Sequence, residues 1–143
     1  MNQSQLNLEV KDSLFDPSLP PNEAKVHVRK KDGREYCKVW VYLEGSDLPY
    51  VERVTYALHE SFQNPVQTVD RTPSNPNCAL SFWTFGAFLV KATILDKKGF
   101  SYLVEHQLGY ERQFPTEREK YVYEDEEPDT RARPTLVSYS GQS

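Results

Sequence analysis

Residues 51 to 69 read V-E-R-V-T-Y-A-L-H-E-S-F-Q-N-P-V-Q-T-V. Val54, Tyr56 and Leu58 recur at every second position, the period of a strand that buries one side, so the segment begins extended. It then breaks into His59-Glu60-Ser61-Phe62, and Asn64-Pro65 turn the chain. A polar cluster with an aromatic ring therefore sits at a strand's end, where a β-sandwich presents its binding loops.

The flanking segments have the same character. Across 23–31, Ala24, Val26 and Val28 alternate with Lys25, His27 and Arg29, the pattern of a half-buried strand, and Asp32-Gly33 supplies a hairpin turn. Residues 35–43 return with Cys37, Val39, Val41 and Leu43 on one side and Tyr36, Lys38, Trp40 and Tyr42 on the other. Both sides are apolar enough for a central strand. Downstream, 66–69 form a short strand, and 70–77 a loop rich in Pro and Asn. In A-L-S-F-W-T-F-G-A-F-L-V-K-A-T-I-L (79–95), Phe88, Val90, Ala92 and Ile94 mark one face of a strand whose entrance is the aromatic cluster Phe82, Trp83 and Phe85. Gly86 removes a side chain where something else must approach closely. Asp96-Lys97-Lys98-Gly99 then closes a hairpin onto 100–108, with Tyr102, Val104, His106 and Leu108 on one face.

About seven strands thus fall within residues 23–114, at the spacing of a two-sheet antiparallel sandwich, and no helical stripe competes. At 143 residues the chain holds one domain of ordinary size; 13% aromatic residues and ten prolines favour an all-β fold. Residues 1–22 form a lead-in with Pro20-Pro21 and a short strand around Leu6 to Val10. Residues 115–143 are an acidic tail or linker. Within it the alternation of Tyr121 and Tyr123, and the strand character of Thr135 to Tyr139, admit an added edge strand.

Composition bounds the function. The net charge of −4 (17 basic, 21 acidic residues) comes without any Lys/Arg stripe, which argues against nucleic acid as a partner. No apolar run is long enough to span a bilayer, and the N-terminus lacks a secretion signal, so a cytoplasmic location with no membrane insertion is expected. Cys37 and Cys78 are spaced unlike an antibody-type pair around a central Trp, and two reduced thiols are expected.

No phosphate-cradling glycine loop, nucleophile elbow or paired-carboxylate motif accompanies the nucleophile and base that Cys78 or Ser61 with His59 would offer, which argues against an enzyme. His27, His59 and His106 are scattered, so neither metal nor cofactor is implied. Two clusters remain as a binding site: His59, Ser61 and Phe62 in one loop, and Trp83, Phe85 and Phe88 around Gly86 in the other. Rings set across a narrow gap grip a flat polarisable group, with about 0.5–1.5 kcal/mol per ring contact beyond the area buried. Aromatics at strand period also serve simply as core, and His59 and Ser61 as a local turn cap.

The L-H-E-S-F of Leu58 to Phe62, followed by Asn64-Pro65, resembles the signature of the YEATS domain; F-G-A-F at Phe85 to Phe88 is similar to the family's aromatic-Gly-x-Phe element, and W-V-Y-L-E-G from Trp40 to its Trp-bearing strand. The resemblance covers about residues 36–108 and is nearest the prokaryotic YEATS-like branch. It implies an immunoglobulin-like β-sandwich of seven to eight strands, without catalytic activity or cofactor, that reads acetylated or crotonylated lysine through an aromatic channel. Carried over by position, it implies that His59 and Ser61 shape the pocket and that Ser61 bonds the acyl amide. Phe62 and Phe85 would be the two walls and Phe88 a support. Two positions depart from the family: Phe85 stands where Tyr or Trp is usual, and Thr84 where Gly usually precedes it. The alternative is a protein–protein adaptor of bacterial signalling or defence, with no acyl-lysine binding, that docks a partner through its acidic tail or a sheet edge.

Overall fold

Asp32 and Gly33 both take positive φ, 54° and 78°, in a computed structural model of the chain that describes residues 7–124. That two-residue turn folds the strand Val26–Lys31 (β2) back on Arg34–Glu44 (β3), pairing Lys31 with Arg34 and Val28 with Cys37. The strand Glu9–Ser13 (β1) pairs with the other half of β3, from Glu9 opposite Glu44 to Ser13 opposite Trp40. On the opposite edge lies Leu80–Thr84 (β6), whose Thr84 faces Cys37 and whose Leu80 faces Val41. β3 is therefore central, as its two apolar sides predict, with β1 and β2 end to end along one edge. The second sheet is antiparallel throughout, in the order Val66–Asp70 (β5), Val51–Ala57 (β4), Leu89–Asp96 (β7), Ser101–Gln107 (β8).

A ninth strand, Tyr121–Glu124 (β9), joins β2 in parallel, from Val26 beside Tyr121 to Arg29 beside Glu124. Among the described residues nine strands with one parallel pair stand where seven to eight antiparallel ones are expected. The parallel partner has no hairpin to announce it: the chain returns to the start of β2 through 108–120, a connection with no periodicity of its own. The lead-in strand lies at Glu9–Ser13 rather than around Leu6–Val10. Leu6 and Thr135 to Tyr139 lie outside the described residues.

The larger correction concerns 79–95. What reads as a strand with an aromatic entrance is two strands in different sheets, with residues 85–88 crossing between them. Phe82 and Thr84 face inward from β6, and Val90, Ala92 and Ile94 face inward from β7. All occupy even positions, so the alternation runs on unbroken across the change of sheet, and periodicity alone cannot reveal it.

Between the sheets, Val26, Val28, Val39, Val41 and Leu43 meet Val54, Tyr56, Val90, Ala92 and Ile94. Tyr56 is fully buried, and its hydroxyl donates to the Cys78 carbonyl (2.8 Å), which helps hold Cys78 at φ 53°. Cys37 and Cys78 are free thiols. One polar clasp joins the sheets: Asp12 of β1 meets His106 Nε2 of β8 at 2.5 Å and also accepts the Gly109 N–H. At the β7–β8 hairpin, burial pushes the Asp96 carboxyl up. Hydrogen bonds from the Phe100 N–H, the Tyr102 hydroxyl and the Lys98 and Gly99 amides outweigh that and hold it below its ordinary value.

Gly45, which closes W-V-Y-L-E-G, has φ 148°, and a Cβ there would lie 2.1 Å from the Asn7 carbonyl oxygen. The segment before β1 thus runs directly over it, held by Asn7 N–H to Asp47 Oδ2 (2.7 Å) and Asn7 Nδ2 to Ser46 Oγ (2.6 Å). Gly45→Ala is expected to cost at least about 2 kcal/mol of unfolding free energy, read as a lowered urea midpoint; an unchanged midpoint would mean that the N-terminal segment does not dock there.

Candidate ligand slot at the rim of the sandwich

Beyond β4, Leu58 is buried and its N–H donates to Pro65 O (2.6 Å), which closes 59–65 into a loop. Inside the loop the Phe62 N–H donates to His59 O (3.1 Å), and the Ser61 N–H donates to His59 Nδ1 (3.0 Å). An amide N–H can only donate, so Nδ1 is the ring's acceptor, and the Ser61 hydroxyl 2.8 Å away donates to the same nitrogen. The hydroxyl proton is thereby committed to His59. The Oγ lone pairs of the exposed Ser61 are left to accept.

The same geometry bears on catalysis. The lone pair a general base would use is engaged by a backbone amide, and among the described residues no carboxylate bonds the His59 ring to orient it. The cysteines are no better placed: burial, with Glu35 adding to it, pushes the Cys37 thiol up to about 11. Burial likewise pushes Cys78 up to about 11 despite the opposing pull of Arg71. Among the described residues no group of three or more His, Cys, Asp or Glu side chains is arranged to hold a metal ion, and no helix is long and apolar enough to cross a membrane.

The loop's own Phe62 meets two rings from a distant part of the chain. Phe62 lies 5.5 Å from Phe82 of β6 and 5.4 Å from Phe88 of the crossing, Phe82 and Phe88 are 5.6 Å apart, and His59 lies edge-on to Phe88 at 6.0 Å. The Phe88 carbonyl accepts the Leu108 N–H (3.1 Å), which ties the crossing to the end of β8. Phe82, 2% exposed, is the anchor that sequence reasoning set at a strand entrance rather than in the site. Its signal was the even position it shares with Phe88.

The structure brings His59, Ser61, Phe62 and Phe88 together and places the other two rings elsewhere. Trp83 is odd-numbered on β6, faces outward and lies 4.2 Å beneath the Arg29 guanidinium. Phe85 is 58% exposed; its ring meets Tyr36 edge-on at 5.3 Å and carries Arg34 over its face at 4.6 Å. Phe62 and Phe85 therefore belong to separate ring clusters. Between them, the buried Thr84 hydroxyl donates to Gly86 O (2.7 Å) and accepts the Gly86 N–H (3.2 Å), which fixes the start of the crossing.

Gly86 itself has no positive φ, and a Cβ built on it would meet nothing within 4 Å. The close approach expected at Gly86 occurs instead at Gly45. At Gly86 no protein atom requires glycine, and the space beside the crossing is open.

This fold and its rim define an immunoglobulin-like sandwich module with aromatic side chains at one end. The chain belongs to the prokaryotic YEATS domain family, whose sequence model matches residues 37–109. Among solved structures, the yeast AF-9 homologue Yaf9 superposes with a TM-score of 0.47 at 14% identity, over 72% of this chain and 64% of that one. The Yaf9 YEATS domain bound to an acetylated histone H3 peptide gives 0.45 at 14%, over 72% and 68%. The same domain recognising a succinylated histone H3 peptide gives 0.43 at 16%, over 52% and 58%. The chain thus spans under two thirds of the yeast Yaf9 structure and of the succinylated-peptide complex. A search of the curated proteins finds no match.

Since packing leaves Gly86 open, Gly86→Ala is expected to change the unfolding free energy by no more than about 0.5 kcal/mol. Phe88→Ala, which breaks the ring cluster, should cost about 3 kcal/mol. Urea unfolding measures both, and a large loss for Gly86→Ala would show that the crossing is packed shut.

Proposed function

We propose that this chain is a noncatalytic module that binds an acylated lysine, with the acyl amide at Ser61 and the flat acyl group passing the Phe62 edge of the ring cluster toward Gly86. The observation that carries this reading is the exposed Ser61 hydroxyl: its proton is held by His59, so its lone pairs are left to accept, in the same loop whose Phe62 packs on Phe82 and Phe88. An amide N–H is the donor such an oxygen fits, and a planar acyl group is what ring edges and faces hold. Unmodified lysine would bring a charge to that apolar edge and lose hydration there.

In this reading Phe62 is one wall, Phe88 its support and the exposed Phe85 the second wall, which moves toward the guest from its rest against Tyr36. A phenylalanine there keeps the stacking surface and lacks the hydroxyl of a tyrosine. The guest is an acylated protein or peptide of the cytoplasm. Family membership supports the reading, and the acetylated and succinylated peptides in the Yaf9 structures are its chemical precedent.

Titration of acetyl-lysine and crotonyl-lysine peptides, followed by amide chemical shifts, is expected to perturb residues around Ser61, Gly86 and Phe85, whereas the unmodified peptide does not. Ser61→Ala should weaken binding about tenfold or more, Phe85→Ala should abolish it, and Gly86→Ala should weaken it without loss of stability. Silence with both acyl peptides would overturn the reading in favour of an adaptor, whose available edge is β5, an outer strand with Val66 61% exposed.

A further inference from the structure

The outer face of the first sheet carries a second cluster that meets the proposed slot only at Phe85. From β3 it presents Arg34, Tyr36, Lys38 and Trp40, from β2 His27 and Arg29, and from β6 Trp83, with Phe85 just beyond. Arg29 lies 4.2 Å over Trp83, Arg34 lies 4.6 Å over Phe85, and the Lys38 ammonium sits 5.4 Å from Trp40 and 5.9 Å from Trp83. The rings hold the cations in place from the side, at distances where ring and charge attract.

A carboxylate already occupies one position on this face. Glu124 of β9 reaches His27 Nδ1 (3.2 Å) and Arg29 (3.3 Å) with its two oxygens. Glu44, at the far end of β3, is 3.7 Å from Lys11. Among the described residues Arg34 and Lys38 are paired with no carboxylate; the rings are their partners. In a chain of net charge −4, a sheet face with two ring-backed cations and no anion of their own is a local reversal of sign.

We propose that this face is a docking surface for an acidic segment of a partner protein, bound extended, with carboxylates reaching Arg34 and Lys38 as Glu124 reaches Arg29. Arg34 and Lys38 are about 13 Å apart along β3, so acidic side chains four positions apart on an extended peptide match them. A single-stranded nucleic acid fits less well. Its bases need free ring faces, and here Arg29 and Arg34 already cover those of Trp83 and Phe85. This surface borders the proposed acyl-lysine slot at Phe85, over which Arg34 lies, but it uses other polar groups, and its test does not depend on the slot.

Trp40 and Trp83 are the only tryptophans of the chain; Trp40 is largely buried beneath Lys38, and the half-buried Trp83 lies under Arg29, so intrinsic fluorescence reports on this face chiefly through Trp83. A hexaglutamate peptide titrated into the full chain at low salt is expected to give a saturable change in tryptophan emission. The apparent affinity should fall about tenfold or more in the Arg34→Ala, Lys38→Ala double variant. It should also be lost toward about 0.5 M salt and be unchanged by Ser61→Ala. Amide spectra of the double variant, unaltered away from this face, check that it is folded. No response, or equal response in the double variant, overturns the proposal. So does tighter binding of an oligothymidylate than of the peptide. Binding seen only after Asp125, Glu126, Glu127 and Asp129 are changed to their amides also overturns it, because the chain's own acids would then be the occupant.

Discussion

Residues 85–88 carry the chain from one sheet to the other, and the candidate site depends on how short that crossing is. With so few residues the chain cannot wander. Thr84 is buried at the end of β6 and pins Gly86 by both its N–H and its C=O, and Phe88 is bonded through its carbonyl to Leu108. Between these fixed ends the ring of Phe88 is directed onto Phe82 and Phe62, and that of Phe85 onto Tyr36. The loop of His59 to Phe62 then has a floor to rest on. The ring contacts contribute about 0.5–1.5 kcal/mol each beyond burial, enough to order a loop whose own hydrogen bonds are local.

The two glycines at issue show how the same residue serves opposite ends. Gly45 is demanded by the fold: its φ and the Asn7 carbonyl 2.1 Å from a would-be Cβ leave no alternative. At Gly86 no protein atom would meet an added Cβ within 4 Å. A glycine without a packing reason in the crossing that carries Phe88 to the ring cluster is a place where something from outside can come near. The outer face of the first sheet differs in kind, because its rings are covered by cations and its chemistry is that of charge.

Much of this was legible in the sequence. Alternation at Ala24 to Val28, Cys37 to Leu43 and Val54 to Leu58 placed three strands and their buried sides, and Asp32-Gly33 and Asp96 to Gly99 placed two hairpins. The L-H-E-S-F loop was correctly set at a strand's end. Two things were not legible, for stated physical reasons. The change of sheet between Phe82 and Phe88 keeps the even positions inward on both sides, so the period carries no mark of it. For β9 the alternation of Tyr121 and Tyr123 admitted an edge strand, but not its partner or direction: it pairs in parallel with a strand almost a hundred residues earlier, and no turn chemistry foretells such a contact. The first of these also explains why Trp83 was grouped with the slot: adjacency to Phe82 in sequence means opposite faces in a strand.

The account stands or falls on a guest lying beside Gly86 against the Phe62 edge of the ring cluster. The most direct measurement is of intermolecular nuclear Overhauser contacts from the acyl methyl of a crotonyl-lysine peptide to the protein. Contacts to the ring protons of Phe62 and Phe85 and to the Gly86 amide are what the account predicts. Contacts confined to Tyr36 and Trp83 on the outer face, or none at all with the peptide in excess, would contradict it.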